Sequence, residues 1–151
     1  MKKVKFLALV CSAVLFFAAC GDEKDNSKPE ISKTNEYIGD VWVTQSDESL
    51  YMQADVTVDY EITDTAGLVL TFYHIQFSSK MPVSIDMVVP NVLYEGDDEL
   101  TISGENIVPL AMGGEFPQYT ITNLHGTISK SDISLSMNCG SNPFEFSGTS
   151  K

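Results

Sequence analysis

The sequence predicts an all-β fold, a small antiparallel up-and-down β-barrel of about eight strands. Three observations predict it. Apolar and polar residues trade places with a period of two over most of residues 36–151, and side chains on a strand alternate between faces, so each such run is a half-buried strand. Turn-forming clusters separate the runs: Asp64-Thr65-Ala66-Gly67, Glu95-Gly96-Asp97-Asp98, Gly113-Gly114 and Gly140-Ser141-Asn142-Pro143. No stretch carries a helical apolar stripe. Short strands spaced by about 10 to 14 residues suit a barrel or a sandwich, and a barrel also removes exposed sheet edges.

The elements follow in order. Residues 37–44 form the first strand, with Val41, Trp42 and Val43 inside it. In residues 54–62 every even position is apolar (Ala54, Val56, Val58, Tyr60, Ile62) and every odd one polar (Asp55, Thr57, Asp59, Glu61). A helix would put Val56 and Asp59 on one side and spoil both faces. Residues 68–77 are apolar on both faces and predict a strand buried on both. Residues 83–89 alternate as Val83, Ile85, Met87 and Val89; Leu100 and Ile102 mark a short strand. Residues 105–112 are apolar but interrupted by Pro109, hence an edge, a bulge or a loop. Residues 119–128 change phase: Tyr119 and Ile121 are odd, Leu124 and Ile128 even, which a β-bulge near Asn123 explains. Residues 132–139 alternate without a break, with Ile133, Leu135, Met137 and Cys139 inward; Phe144 and Phe146 close the chain as a last strand. The inward aromatics Tyr60, Phe72, Phe77, Tyr119, Phe144 and Phe146 either fill the barrel or line a compact pocket within it.

Residues 1–19 read as a secretory signal peptide. Lys2, Lys3 and Lys5 precede an apolar run over residues 6–17, broken only by Ser12, and then Ala18-Ala19-Cys20. The run is shorter than the roughly 20 residues of a membrane span and has the small residues of a cleavage site. A Cys directly after two alanines resembles the lipobox of bacterial lipoproteins, with Phe17 where Leu is usual. The resemblance implies that Cys20 becomes a lipidated N-terminus, and several acyl chains make a stable anchor. Residues 20–35 hold one large apolar residue, Ile31. They are expected to be a disordered tether. The cluster Asp22, Glu23, Asp25 resembles the surface-export signal of lipoproteins in some gut Gram-negative anaerobes. An outer-membrane lipoprotein facing outward and one facing the periplasm both remain open. Cys11 leaves with the leader and Cys20 is taken by lipid, so Cys139 has no intramolecular partner and is expected to be a buried thiol.

Charge narrows the partners. After residue 19, six Lys stand against 21 Asp and Glu, a balance of −15, and the chain has no Arg. Nucleic-acid binding needs Lys and Arg to neutralise phosphates, and docking on anionic lipid needs a basic patch; both are excluded. Cationic or neutral partners fit.

The body, residues 36–151, resembles the calycin-like β-barrel lipoproteins of gut anaerobes. The features that carry the resemblance are Tyr37-x-Gly39 before the first strand, the alternating residues 54–62, Lys80-Met81-Pro82 before the strand at 83, and a closing pattern over 128–137 followed by Phe144-x-Phe146-Ser147-Gly148. It implies an up-and-down barrel related to lipocalins, with no settled activity. The lipocalin signature is Gly-x-Trp with an Arg packing over the Trp. Here Gly39-Asp40-Val41-Trp42 is one residue longer and no Arg exists, so lipocalin-style binding does not carry over.

Few residues invite catalysis. No His-Glu-x-x-His, Cys-x-x-Cys, Gly-x-Ser-x-Gly or phosphate-binding loop occurs, so neither a catalytic residue nor a cofactor is expected. His74, within the doubly apolar strand, reads as a structural, hydrogen-bonded His, and His125-Gly126 as a solvated turn. Residues 95–99 concentrate carboxylates without the spacing of a calcium loop and read as a solvated acidic turn, not a metal site. Binding is the leading class. Trp42, Tyr51, Tyr60, Phe72, His74 and Tyr119 are the candidate contacts for a small apolar or glycan ligand, with Trp42 and Tyr51 as possible stacking platforms for sugar rings. Two readings stay open: a lipid-anchored binding module with a pocket in the barrel, or an interaction or structural lipoprotein with a filled core that acts through its outer surface. An apolar cavity of roughly 300 Å³ or more separates them.

Overall fold

Alternation of the predicted kind builds ten strands: β1 (Asn35–Thr44), β2 (Leu50–Thr63), β3 (Gly67–Ile75), β4 (Ile85–Glu95), β5 (Leu100–Gly104), β6 (Leu110–Ala111), β7 (Gly114–Glu115), β8 (Ile121–Ile128), β9 (Asp132–Cys139) and β10 (Asn142–Ser150). A computed structural model of the chain describes residues 35–151. The signal peptide over residues 1–19, the lipidation site Cys20 and almost all of the tether over residues 20–35 lie outside the described residues.

The fold is an eight-stranded closed antiparallel barrel. Going round it, β1, β2, β3, β4, β5, β8, β9 and β10 pair in turn, and β10 pairs back onto β1. The meander is interrupted once. β5 covers only the far end of β4, where Leu93 faces Ser103. The near end is taken by the β6–β7 hairpin, with Met87 opposite Ala111 and Val88 opposite Leu110. Pro109 directly precedes this hairpin, as expected for a residue that cannot donate to a ladder.

Four strands carry a non-glycine residue with positive φ: Asp55 (57°) in β2, His74 (55°) in β3, Asn91 (59°) in β4 and Asn123 (54°) in β8. Asp, Asn and His are the residues that best tolerate this region. Each adds one residue to its strand, and the inward series then steps by three instead of two. The buried positions run 68, 70, 72, 75 in β3, then 85, 87, 89, 92 in β4, then 121, 124, 128 in β8. The bulge near Asn123 is therefore as expected. The other three correct the sequence reading. β3 is buried on one face only: Leu68, Leu70 and Phe72 point in, Val69 and Tyr73 are half-buried outside, and the bulge at His74 brings Ile75 in. Its two apolar faces are one inward series that changes phase. In β2 the inward series runs from Tyr51 and Gln53, opposite Val43 and Val41, to Val56 and Val58 past the bulge, and Ala54 lies exposed on the other face; Ile62, near the end of β2, and Val83, just before β4, are also exposed. Tyr119 lies not on a strand but in a 3-10 turn, Pro117–Tyr119, and His125 lies in β8 and not in a turn.

The bulge geometry predicts a substitution pattern. Asn123→Gly is expected to leave stability unchanged within about 0.5 kcal/mol, because Gly accepts positive φ without penalty. Asn123→Val is expected to cost about 1–2 kcal/mol, because a β-branched side chain collides with its own backbone there. Urea unfolding of the two variants reads the difference.

The interior is packed with rings. Phe72, fully buried, meets Phe144 edge-on (centroids 5.5 Å apart, planes at 90°) and Phe146 (6.1 Å, 82°). Phe77 sits 6.0 Å from Phe144 and stacks on Tyr119 at 4.3 Å, and Tyr119 stacks on Phe116 at 5.1 Å. A continuous column of rings thus leads from the buried centre out to the 3-10 turn. Elsewhere Tyr37 stacks on Tyr60 at 6.3 Å, and the Tyr37 hydroxyl donates to the Ser129 carbonyl. Edge-to-face and offset pairs at these distances stabilise beyond their area alone. No polar or charged side chain is buried among the described residues.

Candidate functional site

The grooves lie on the outer face of the barrel, away from the ring-packed interior. The strand register brings four outward residues into one row across four strands. Trp42 on β1 lies opposite Glu145 on β10, Glu145 opposite Ser136 on β9, and Ser136 opposite His125 on β8. The next row holds Asp40, Ser147, Ser134 and Thr127 in the same order. Tall rings thus stand at the two ends of a floor of short hydroxyl side chains. The result is an open groove of about 350 Å³ lined by Trp42, His125, Ser134, Ser136, Glu145 and Ser147. A second groove, about 290 Å³, borders the other side of Trp42 and is lined by Thr44, Leu50, Pro143 and Glu145. The half-buried indole is the wall between them.

The polar groups of this groove are available. Among the described residues, no hydrogen bond engages the Trp42 indole nitrogen, the Glu145 carboxylate or the hydroxyls of Ser134, Ser136 and Ser147. His125 is oriented by its own strand. Its Nδ1 is 3.0 Å from the carbonyl of Asn123, the bulge residue. A proton on Nδ1 makes that hydrogen bond and leaves Nε2 as a free acceptor. The bulge therefore sets the phase of the row and orients the His125 ring at its far end.

A larger groove of about 700 Å³ runs beside the β6–β7 hairpin, lined mainly by Val83, Val88, Leu110 and Met112, with His74 and Asp86 at its rim. His74 is not the structural His expected in a buried strand. The bulge turns its imidazole out to solvent, and its Nδ1 lies 3.7 Å from Asp86 Oδ1. That carboxylate instead accepts from the His74 backbone N–H at 2.8 Å. Ser84 lines the same groove, but among the described residues no hydrogen bond joins it to His74.

The remaining candidates are separated. Phe72 is in the centre of the core. Tyr60 and Tyr119 are half-buried and packed on other rings. Tyr51 leans on the core and its hydroxyl donates to Gln76 Oε1 at 3.2 Å, so it is no open platform. Of the six contacts expected from sequence, only Trp42 lies in the groove; Glu145, Ser136 and His125 carried no local signal. The carboxylates of residues 95–99 are exposed in the β4–β5 turn, and Lys130 Nζ is 3.3 Å from Asp98 Oδ1.

No protein-family model matches the chain, and no curated protein or solved structure proved similar to it. The site therefore rests on its own geometry.

Cys139 is the inward end of β9 and is buried. Burial in apolar surroundings pushes its thiol pKa well up. The thiolate is the reactive form. The folded protein is therefore expected not to react with a thiol reagent such as DTNB at pH 8, and to react fully in denaturant. Rapid labelling at Cys139 in the native state, located by peptide mapping, would contradict the buried position.

Proposed function

We propose that this protein is a non-catalytic binding module, tethered to the cell envelope by a lipidated Cys20, that engages its ligand on the outside of a filled β-barrel. The observation that carries the reading is the ring column of Phe72, Phe144, Phe146, Phe77 and Tyr119. These side chains occupy the space that a lipocalin-type ligand would need, whereas the Trp42 face offers unpaired polar groups beside an aromatic ring. The leader and the Ala18-Ala19-Cys20 motif support the anchor, and the likeness to calycin-like lipoproteins is consistent with both.

Two measurements test it on the intact protein. Wild type is expected to partition into the detergent phase of Triton X-114, and Cys20→Ala into the aqueous phase. Native mass spectrometry is expected to give the mass of the lipidated polypeptide alone. A stoichiometric apolar molecule retained by the folded protein would overturn the filled-barrel reading.

A further inference from the structure

The row from Trp42 to His125 has the chemistry of one ligand class. We propose that it is a binding platform for a neutral oligosaccharide, whose pyranose ring stacks on the Trp42 indole and whose hydroxyls bond to Glu145, Ser136 and His125. The inference deepens the outer-surface reading above and rests on it.

Four features of the groove point the same way. An indole bordered by open grooves on both sides offers a flat apolar face to the C–H face of a sugar ring; an aromatic body with a polar tip suits such half-wet sites. The floor gives hydroxyls that both donate and accept, from Ser134, Ser136 and Ser147, with a carboxylate acceptor on Glu145 and a ring-nitrogen acceptor on His125. This mixed set matches a ligand whose own groups are hydroxyls that also donate and accept. Dimensions fit as well. Trp42 and His125 are three strand spacings apart, about 14 Å, the length of a short oligosaccharide, and both line the same open groove. Finally, charge selects among glycans. Glu145 lies in the groove and Asp40 in the adjoining row, on a body that carries three Lys against 17 Asp and Glu over residues 36–151. Sulfated or uronic-acid glycans are repelled from such a surface, and neutral ones are not.

The chain has a single Trp, so its fluorescence reports on this groove alone. The test uses the intact protein and a panel of neutral polysaccharides and their oligosaccharides (glucans, mannans, xylans and galactans), with heparin and polygalacturonate as the anionic arm. At least one neutral glycan is expected to shift or quench the Trp42 emission saturably and to retard the protein in affinity electrophoresis; the anionic arm is expected to do neither. Trp42→Ala should weaken binding by about tenfold or more, as for a central aromatic contact. Trp42→Phe should keep part of the affinity, and Glu145→Gln should weaken it. Ser147→Tyr, at an exposed position on β10, should block the floor without lowering the melting temperature. The proposal is overturned if no neutral glycan on the panel binds, if the anionic arm binds equally well, if Trp42→Ala and Ser147→Tyr both bind like wild type, or if cross-linking from this face captures a protein that the glycans do not displace. Failure here with a bare mass in native spectrometry sinks the sugar site alone; a retained apolar molecule sinks the outer-surface reading beneath it.

Discussion

Phe144→Ala is expected to destabilise the protein by about 3–5 kcal/mol, the range for deleting a fully buried ring. Phe144 is wholly inaccessible and sits between two other rings, 5.5 Å from Phe72 and 6.0 Å from Phe77. Its partners come from β3 and the segment just after it, whereas Phe144 itself is on β10. One ring therefore ties the first half of the chain to the last strand. Ala leaves a void that these strands cannot close, since each is held in register by ladders on both sides. The cost comprises lost burial plus the residual cavity. Urea unfolding should show a large drop in midpoint with an unchanged slope. A loss below about 1 kcal/mol would mean that the ring is not part of a packed column.

The second large effect is Gly39→Ala, expected to cost about 3 kcal/mol, the upper end of overpacking. Gly39 faces Gly148 across the β1–β10 seam that closes the barrel. A Cβ on Gly39 would lie 2.0 Å from the Ser147 carbonyl oxygen and 2.4 Å from Gly148 Cα. Both obstacles are backbone and cannot rotate away, so the seam must part to admit one methyl group. Gly114→Ala is the control. Nothing lies within 4 Å of its added Cβ, and the change is expected to fall within about 0.5 kcal/mol of wild type. Thermal unfolding of the pair compares them; equal melting temperatures would argue against a tight seam.

Much of this fold is legible in the chain. β9 spans the alternating residues 132–139 end to end because nothing interrupts its pleat. The phase slip over residues 119–128 reveals the bulge at Asn123 because Ile121 and Leu124 are unambiguous inward anchors on either side. The bulges at Asp55, His74 and Asn91 leave no such trace. Ala54 is apolar although exposed and so hides the slip in β2; Val69 and Tyr73 cover the outer face of β3 and make it read as doubly buried. Period-two reading fails where an outward residue happens to be apolar. The site fares worse for a different reason. Trp42 is visible by itself, but His125, Ser136 and Glu145 lie more than 80 positions further along the chain, and only barrel closure brings them into its row. Serines on an outward face carry no chemical signature until a register aligns them.

A closed barrel with rings packed through its interior leaves the outer surface for function. The most direct measurement is a nuclear Overhauser spectrum of the intact protein. Contacts are expected from the Phe72 ring to the rings of both Phe144 and Phe146, and between the α-protons of Gly39 and Gly148. Phe72 ring protons in contact with water or with a bound molecule, together with a missing Gly39–Gly148 contact, would contradict the closed, filled barrel.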